Sequence, residues 1–426
     1  MEDKVDIIDR NSIAQFIYQD GKLMLVAKVD GEINIYPEQQ NIPGLEAKIE
    51  PIDINWIKNE CVVLPTGISM ESHDTLITDL KKYFEEKFIF EEQQLWLLAL
   101  YAYYTWHYDR LETAPYLFIV GDIETGKSRV LELLQLVCFN SVYLGTAVTN
   151  ANIYRVQNEV RGTLLLDEFE KEFADRSDPY AQILNSGYRK GSGVVFRTEQ
   201  IGKKFKPMPY VVYGPKVINA RTLPKDDALL SRCFIIKTKP YRKDQIMEAG
   251  ISLDFTKEYY REAEQLRNRL LGVRFDTAGI EPKLLPGIEF KTQSPRYAQI
   301  LSAMVSVFPD NVQAEAAAIL ESLLIGSKWT PSLQREIDIV GSLRSILSRK
   351  HPDWQEQLPL YVAVKEIVST AKNAVSRNYT PKEIAETARK MGLETVRHGN
   401  GTAIKLTSPS VLSELSERYM MTEAVV

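Results

Sequence analysis

Eight consecutive residues, Gly121-Asp122-Ile123-Glu124-Thr125-Gly126-Lys127-Ser128, fit the pattern G-x-x-x-x-G-K-[ST] without a mismatch. That spacing is what a phosphate-binding loop requires. Glycines let backbone N–H groups close around a β-phosphate, and a helix starting at the loop adds the positive end of its dipole. Lys127 is then placed to reach the β- and γ-phosphates, and the Ser128 hydroxyl to ligate Mg²⁺, with Arg129 completing the nucleotide-binding set. Further on, Thr163-Leu164-Leu165-Leu166 ends in the adjacent acids Asp167 and Glu168. A buried parallel strand of this kind delivers carboxylates to the C-terminal edge of a sheet, where ligands of open α/β sheets sit. Asp167 is expected to hold Mg²⁺, mostly through water, and Glu168 to polarise the attacking water. An apolar run over residues 210–219 ends in Asn219, either a sensor touching the γ-phosphate or lytic water, or a plain turn residue. The chemistry is hydrolysis of a nucleoside triphosphate, with ATP and Mg²⁺ as cofactors.

Such groups need elements to position them. Tyr116-Leu117-Phe118-Ile119-Val120 is a β-favouring run and residues 129–137 read as a helix, so strand, loop and helix follow in the required order. Three alternating runs at residues 14–18, 23–27 and 33–36 are separated by Asp20-Gly21 and Asp30-Gly31, which read as hairpin turns. They predict a β-rich module over residues 1–70, read as a packing or oligomerisation collar. Residues 75–108 turn helical and end in an aromatic-rich run expected in the core, with His107 read as surface. Residues 193–206 hold two β-runs around Gln200-Ile201-Gly202-Lys203, a hairpin signal. Lys203, Lys204 and Lys206 gather at its tip, either to meet nucleic-acid phosphates or to keep an exposed edge from aggregating. Residues 71–240 thus form the nucleotide-binding core, and residues 241–330 are mostly helical, clearest at 259–271 and 297–324. In residues 331–426 a helix at 362–375, another from Thr380-Pro381, and a hairpin with a Gly399-Asn400-Gly401 tip suggest a winged helix. There Arg397, His398 and Lys405 could meet phosphates or serve a protein dock.

Composition narrows the class. The chain has 426 residues, with 44% hydrophobic and 26% charged, as in globular proteins. No apolar run is long enough for a membrane span and the N-terminus is acidic, so a cytoplasmic protein without membrane partners is expected. Cys61, Cys138 and Cys233 lie far apart without C-x-x-C, which indicates neither a disulfide framework nor a zinc site. The net charge of −5 provides no global basic field, so any nucleic-acid contact must come from a local cluster.

The run Leu229-Leu230-Ser231-Arg232-Cys233-Phe234 resembles the arginine-finger motif of minichromosome maintenance helicases of the AAA+ superfamily. Phosphate loop, Asp-Glu strand, Asn strand and Leu-Leu-Ser-Arg follow in that family's order. Ser294-Pro295-Arg296-Tyr297-Ala298-Gln299-Ile300-Leu301 resembles its second sensor, an arginine on a lid helix. The layout is most similar to the shortened relatives in bacterial prophages and mobile elements, over about residues 95–305. The extra hairpin insertion and the zinc-bearing N-terminal collar of full-length members have no counterpart. The resemblance implies an α/β AAA+ core with a helical lid and a homo-hexameric ring. It also implies that Arg232 and Arg296 serve a neighbour's ATP, and that the hairpin at 199–206 grips single-stranded DNA in the channel. The expected function is a DNA helicase or translocase in mobile-element replication. Alternatives are a DNA-responsive AAA+ switch (initiator, helicase loader or defence ATPase) and a protein-remodelling ATPase.

Overall fold

Two Asp-Gly pairs bend the N-terminal chain into a meander. Strands β1 (Ile13–Gln19), β2 (Lys22–Val29) and β3 (Glu32–Pro37) pair antiparallel in the order β1-β2-β3. Asp20 (φ 50°), Gly21 (φ 77°), Asp30 (φ 52°) and Gly31 (φ 87°) all take positive φ, as two-residue hairpin turns with the strands' own twist demand. Residues 13–17 of β1 are buried, and the apolar ones join the same core as the central sheet. The computed structural model describes residues 12–37, 42, 50–145, 148–169, 179–224, 226–292, 294–326, 331–375, 379–399 and 401–418. The acidic N-terminal residues and Asn400 of the Gly-Asn-Gly tip lie outside them. The chain divides into two compact units, residues 1–327 and 328–426.

Strands β4 (Tyr116–Val120), β5 (Val142–Leu144) and β6 (Leu164–Leu166) belong to a five-stranded parallel sheet. Next in sequence, β7 (Val194–Ile201) and β8 (Lys204–Val211) form a separate hairpin. Strands β9 (Lys216–Ala220) and β10 (Cys233–Lys237) then return to the sheet, whose order is β10-β4-β9-β6-β5. Helices flank this sheet, which explains why β4 and β6 read as unbroken apolar runs rather than alternating ones and why every residue of β9 is buried, Lys216 and Asn219 included. The sequence predicts one strand over residues 210–219; the structure divides it. Tyr210 and Val211 finish the hairpin, and Gly214 (φ 145°) with Pro215 turns the chain before Lys216. A side chain at Gly214 would meet Gln157 Nε2 at 2.5 Å, and Pro215 has no N–H for a ladder.

The helix Glu92–Thr105 is buried on nearly every side, including Tyr101, Tyr103 and Tyr104, and lies in the core as expected. His107 does not lie on the surface. It is fully buried, its ring 5.0 Å from that of Tyr103, and burial drives its pKa well below the ordinary value. The aromatic stripe simply continues one turn past the helix. Beyond the sheet come helices Lys257–Asp276, Pro295–Val305 and Asp310–Gly326. The helical run expected over 297–324 is therefore broken, next to Pro309, which cannot donate within a helix.

The second unit has its own core, which includes Ile339, Leu343, Ile367, Ile384 and Ile404. Helix Pro331–Lys350 precedes β11 (Leu360–Ala363), then helices Val364–Val375 and Pro381–Lys390. Strands β12 (Glu394–His398) and β13 (Gly401–Leu406) and the helix Pro409–Arg418 complete it, with sheet order β11-β13-β12. Val362 and Ala363, expected in a helix, instead pair with Ile404 and Ala403. Among the described residues, no helix is long and apolar enough to cross a membrane.

Lys216, at the start of β9, is completely buried. Its ammonium donates to the carbonyls of Val212 (2.8 Å) and Gly214 (2.9 Å), and lies 4.9 Å from the centre of the Tyr116 ring. Burial lowers its pKa from 10.5 to about 7. Between those values the unfolded chain binds more protons than the folded one, so this group makes stability rise with pH from about 7 to about 10. Urea unfolding at pH 7 and 9.5 should show an increment on the order of 3 kcal/mol that Lys216→Met lacks. An equal increment in the variant would show that Lys216 does not titrate in this range.

Candidate active site

The phosphate loop is built by close approaches that only glycine permits. A Cβ on Gly121 would meet Thr238 Oγ1 at 2.1 Å, and one on Gly126 (φ 77°) would meet the Phe88 ring at 2.4 Å. Thr125 Oγ1 ties the loop to Thr238, the residue after β10 (2.7 Å), and to the Asp122 carbonyl (2.9 Å). Helix Lys127–Gln135 starts from this loop, as the sequence requires. The Lys127 ammonium lies inside the loop, donating to the carbonyls of Gly121 (2.8 Å) and Asp122 (2.6 Å). Ile123 and Glu124 stand exposed, and Glu124 takes a positive φ of 63°. Arg129 points elsewhere: its guanidinium donates to the carbonyls of Lys87, Ser252 and Leu253.

The two acids follow β6, one strand removed from the loop. Strand β9 lies between β4 and β6, with Asn219 opposite Ile119 and Ile218 opposite Leu166. Loop and acids are thus held two strand spacings, about 10 Å, apart. Ser128 Oγ donates to Asp167 Oδ1 at 3.3 Å, joining the two candidate metal ligands. Glu168 takes φ 47°, a left-handed conformation uncommon outside glycine. Its N–H donates to Asp167 Oδ1 (2.8 Å) and to Asn219 Oδ1 (2.7 Å), and Phe169 N–H donates to the Asn219 carbonyl (2.8 Å). Asn219 lies within β9 rather than in a turn of its own, and it braces the turn that carries the acids. Its Nδ2 is buried without a protein partner, a donor left for a ligand or water beside the acids.

Sequence reasoning missed two residues here. Tyr143, on β5, donates its hydroxyl to Asp167 Oδ2; burial, and then that carboxylate, raise its pKa. Its register, opposite Leu165 and so two residues before Asp167, brings it there, and nothing in the sequence signals that pairing. Arg221, directly after β9, lines the cavity of about 260 Å³ formed by residues 123–129, Asp167, Glu168 and Ala220. Among the described residues, no three His, Cys, Asp or Glu side chains form a metal cage. One carboxylate and one hydroxyl fit Mg²⁺, which fills its shell with phosphate oxygens and water. A larger cavity, about 600 Å³, lies between helices Leu76–Glu85 and Lys257–Asp276 and contains none of these groups.

Arg232 and Arg296 are not in this cavity. Arg232 precedes β10, and its carbonyl accepts from Tyr116 N–H at the start of β4. Thr238, which touches the loop, is the residue after β10, so at ~3.3 Å per residue Arg232 sits about 20 Å from its own loop. Its guanidinium donates to Asn185 Oδ1 and the Ala228 carbonyl and lies over the Tyr188 ring, while Asn185 Nδ2 donates to Asp226 (2.9 Å). Burial, then the adjacent Arg296 charge, lower its pKa. Arg296 is exposed and donates to Ser231 Oγ. The two arginines form one cluster at the opposite end of the sheet.

The expected hairpin is present, turning at Gly202 (φ 61°) and Lys203. Lys203, Lys204 and Lys206 are all exposed. One face packs on helix Asn150–Val160, through Tyr210 against Tyr154 and Arg155 paired with Glu199 (2.8 Å). The other face carries Val194, Phe196 and Phe205; Phe196 is 65% and Phe205 72% exposed.

No protein-family model matches the chain, and no curated protein matches it significantly. Among solved structures, the A form of the apo NrS-1 C-terminal region is similar at 12% identity and a TM-score of 0.38, over 93% of this chain and 97% of that one. A second apo structure of the NrS-1 C-terminal region gives 12% identity and a TM-score of 0.35, over 93% and 96%.

The Tyr143 contact with Asp167 can be tested directly. Tyr143→Phe should raise the Mg²⁺ concentration for half-maximal nucleotide binding about 10–100-fold, the usual loss when a ligand's outer support is removed. An unchanged Mg²⁺ requirement in titrations followed by calorimetry would separate Tyr143 from the metal ligand.

Proposed function

We propose that this chain is an ATP hydrolase of AAA+ type that closes into a ring, a hexamer in the cytoplasm, and drives single-stranded DNA through its centre in mobile-element replication. One observation carries the reading: the hydrolytic groups are divided between the two ends of one parallel sheet. Loop, acids and Asn219 make half a site, and two arginines, out of reach of that half, make the other.

In this mechanism the loop amides and Lys127 bind the β- and γ-phosphates. Mg²⁺ on Ser128 and Asp167 would neutralise charge developing on the phosphate oxygens. Glu168 takes the proton of the attacking water, and Asn219 Nδ2 orients that water or the γ-phosphate. Arg232 and Arg296 of the next copy face the developing charge, a contribution worth about 10³–10⁵ in rate. The helices over 241–330 act as a lid that moves with nucleotide state. At the channel, Lys203, Lys204 and Lys206 meet phosphates, and the exposed rings of Phe196 and Phe205 offer faces on which bases can stack. The helices and hairpin of residues 331–426 read as a winged helix, with Arg397, His398 and Lys405 on its strands. An ATPase switch that binds DNA without unwinding shares all of these parts; strand displacement on a forked duplex separates the two.

Lys127→Ala and Arg232→Ala should each abolish turnover, while mixing the two proteins should restore a measurable fraction. Lack of rescue in co-assembled rings, or a fully active monomer, would reject the shared site. Phe205→Ala should weaken binding of an oligonucleotide by about 1–3 kcal/mol without affecting an abasic strand of equal length. Equal losses for both ligands would remove the stacking role.

A further inference from the structure

Arg232 lies among groups that hold it without neutralising it. Its Nη1 donates to Asn185 Oδ1 and to the Ala228 carbonyl, and its guanidinium carbon lies 5.4 Å from the centre of the Tyr188 ring. That ring is buried, and its backbone is fixed where Ala114 N–H donates to the Tyr188 carbonyl (2.8 Å). Every one of these partners is uncharged. Among the described residues no carboxylate pairs with the guanidinium, while a second cation, Arg296, stands beside it, bonded to Ser231.

A carboxylate does stand next in line. Asp226 caps helix Asp227–Leu230, its Oδ1 accepting from the N–H groups of Ala228 (2.9 Å) and Leu229 (3.3 Å). Its Oδ2 accepts from Asn185 Nδ2 (2.9 Å). Asn185, in the last turn of helix Pro179–Ser186, is thus interposed between an anion and a cation, its amide nitrogen toward the first and its amide oxygen toward the second. The orientation is forced, because a guanidinium only donates and an ionised carboxylate only accepts. Direct contact would make a charge-assisted pair, roughly twice as strong as a neutral bond and frequently bidentate for arginine. The amide satisfies both groups and keeps that pair from forming.

We infer that Asn185 is a positioning residue for a phosphate-facing cation: a neutral spacer that aims Arg232 and leaves its charge uncompensated for the triphosphate of a second copy of this chain. This rests on the shared-site reading above and adds to it how the arginine is both ordered and unneutralised. Asn185 touches no phosphate itself. Its effect on turnover passes through Arg232, and nucleotide affinity at its own copy's loop does not depend on it.

The test moves one charge in the full chain and keeps the hydrogen bonds. In the double variant Asn185→Asp with Asp226→Asn, the carboxylate at position 185 can accept from Arg232 and from the amide at position 226, whose oxygen still caps the helix. Turnover should fall about 10–100-fold, one charge-assisted contact's worth. KM for ATP and calorimetric Mg-ADP affinity should stay within about twofold of wild type, because the loop half is untouched. Mixed with Lys127→Ala protein, the swapped protein should regain turnover; mixed with Arg232→Ala protein, it should not. A general folding defect would not sort the variant with Arg232 in this way. Asn185→Asp alone should fall in the same complementation class and guards against a defect peculiar to the swap. Wild-type turnover in the swapped protein, recovery with Arg232→Ala, or an equal loss of Mg-ADP binding would overturn the inference. If Arg232→Ala and Lys127→Ala fail to complement each other, the shared site falls and the spacer with it. If they complement while the swapped protein is fully active, the spacer alone falls.

Discussion

The Asn219 side chain is the contact on which the geometry of the site depends. It stands at the end of β9, the strand wedged between the phosphate-loop strand and the acid strand, and its Oδ1 accepts from Glu168 N–H. A left-handed glutamate costs on the order of 1–3 kcal/mol, and here two acceptors, Asp167 Oδ1 and Asn219 Oδ1, offset that cost. The distance between loop and acids is thereby fixed by strand spacing, not by flexible side chains. The hydrogen-bonded register of a parallel sheet is stiff, so the gap between loop and acids is set by the fold.

The same register has a consequence at the other end. Because all five strands run parallel, whatever follows a strand gathers at one edge and whatever precedes it gathers at the opposite edge. The loop, Asp167 and Glu168 follow their strands; Arg232 precedes β10. No rotamer of an arginine spans a strand's length. Asn219 and Arg221 therefore lie at the edge that carries the loop and the acids, while Arg232 and Arg296 lie at the other, out of their reach. Asn185, the Ala228 carbonyl and Tyr188 hold the Arg232 guanidinium in place.

The legible parts of the sequence were those whose cause is local. Gly121 and Gly126 were readable because their backbone positions exclude a Cβ, and the Asp-Gly turns because positive φ selects those residues. Strand β4 was legible to the residue, since its shortness, its aromatic and β-branched residues and the glycine loop after it decide for a strand over a buried helix. What escaped depends on tertiary neighbours. His107 looks polar in sequence, yet Tyr103 and Arg110 close over it. Tyr143 gains its role only because β5 pairs beside β6. Arg129 reads as part of a phosphate loop by position alone, and only the fold brings the carbonyls of Lys87 and Ser252 to its fork.

These tertiary contacts also explain why the loop is a poor place for independent motion. Thr125 is bonded to Thr238, the Phe88 ring occupies the space over Gly126, and Arg129 fastens the following helix to residues 87 and 252–253. Each contact leads to a different segment: β10, the chain before helix Glu92–Thr105, and the chain before helix Lys257–Asp276. A displacement of the loop would have to break the neutral Thr125–Thr238 bond, the Phe88 packing and the charge-assisted bonds of Arg129 together, and helix Lys257–Asp276 is itself tied to the same region through Glu262 with Lys87 and through Arg267 with the Leu136 carbonyl.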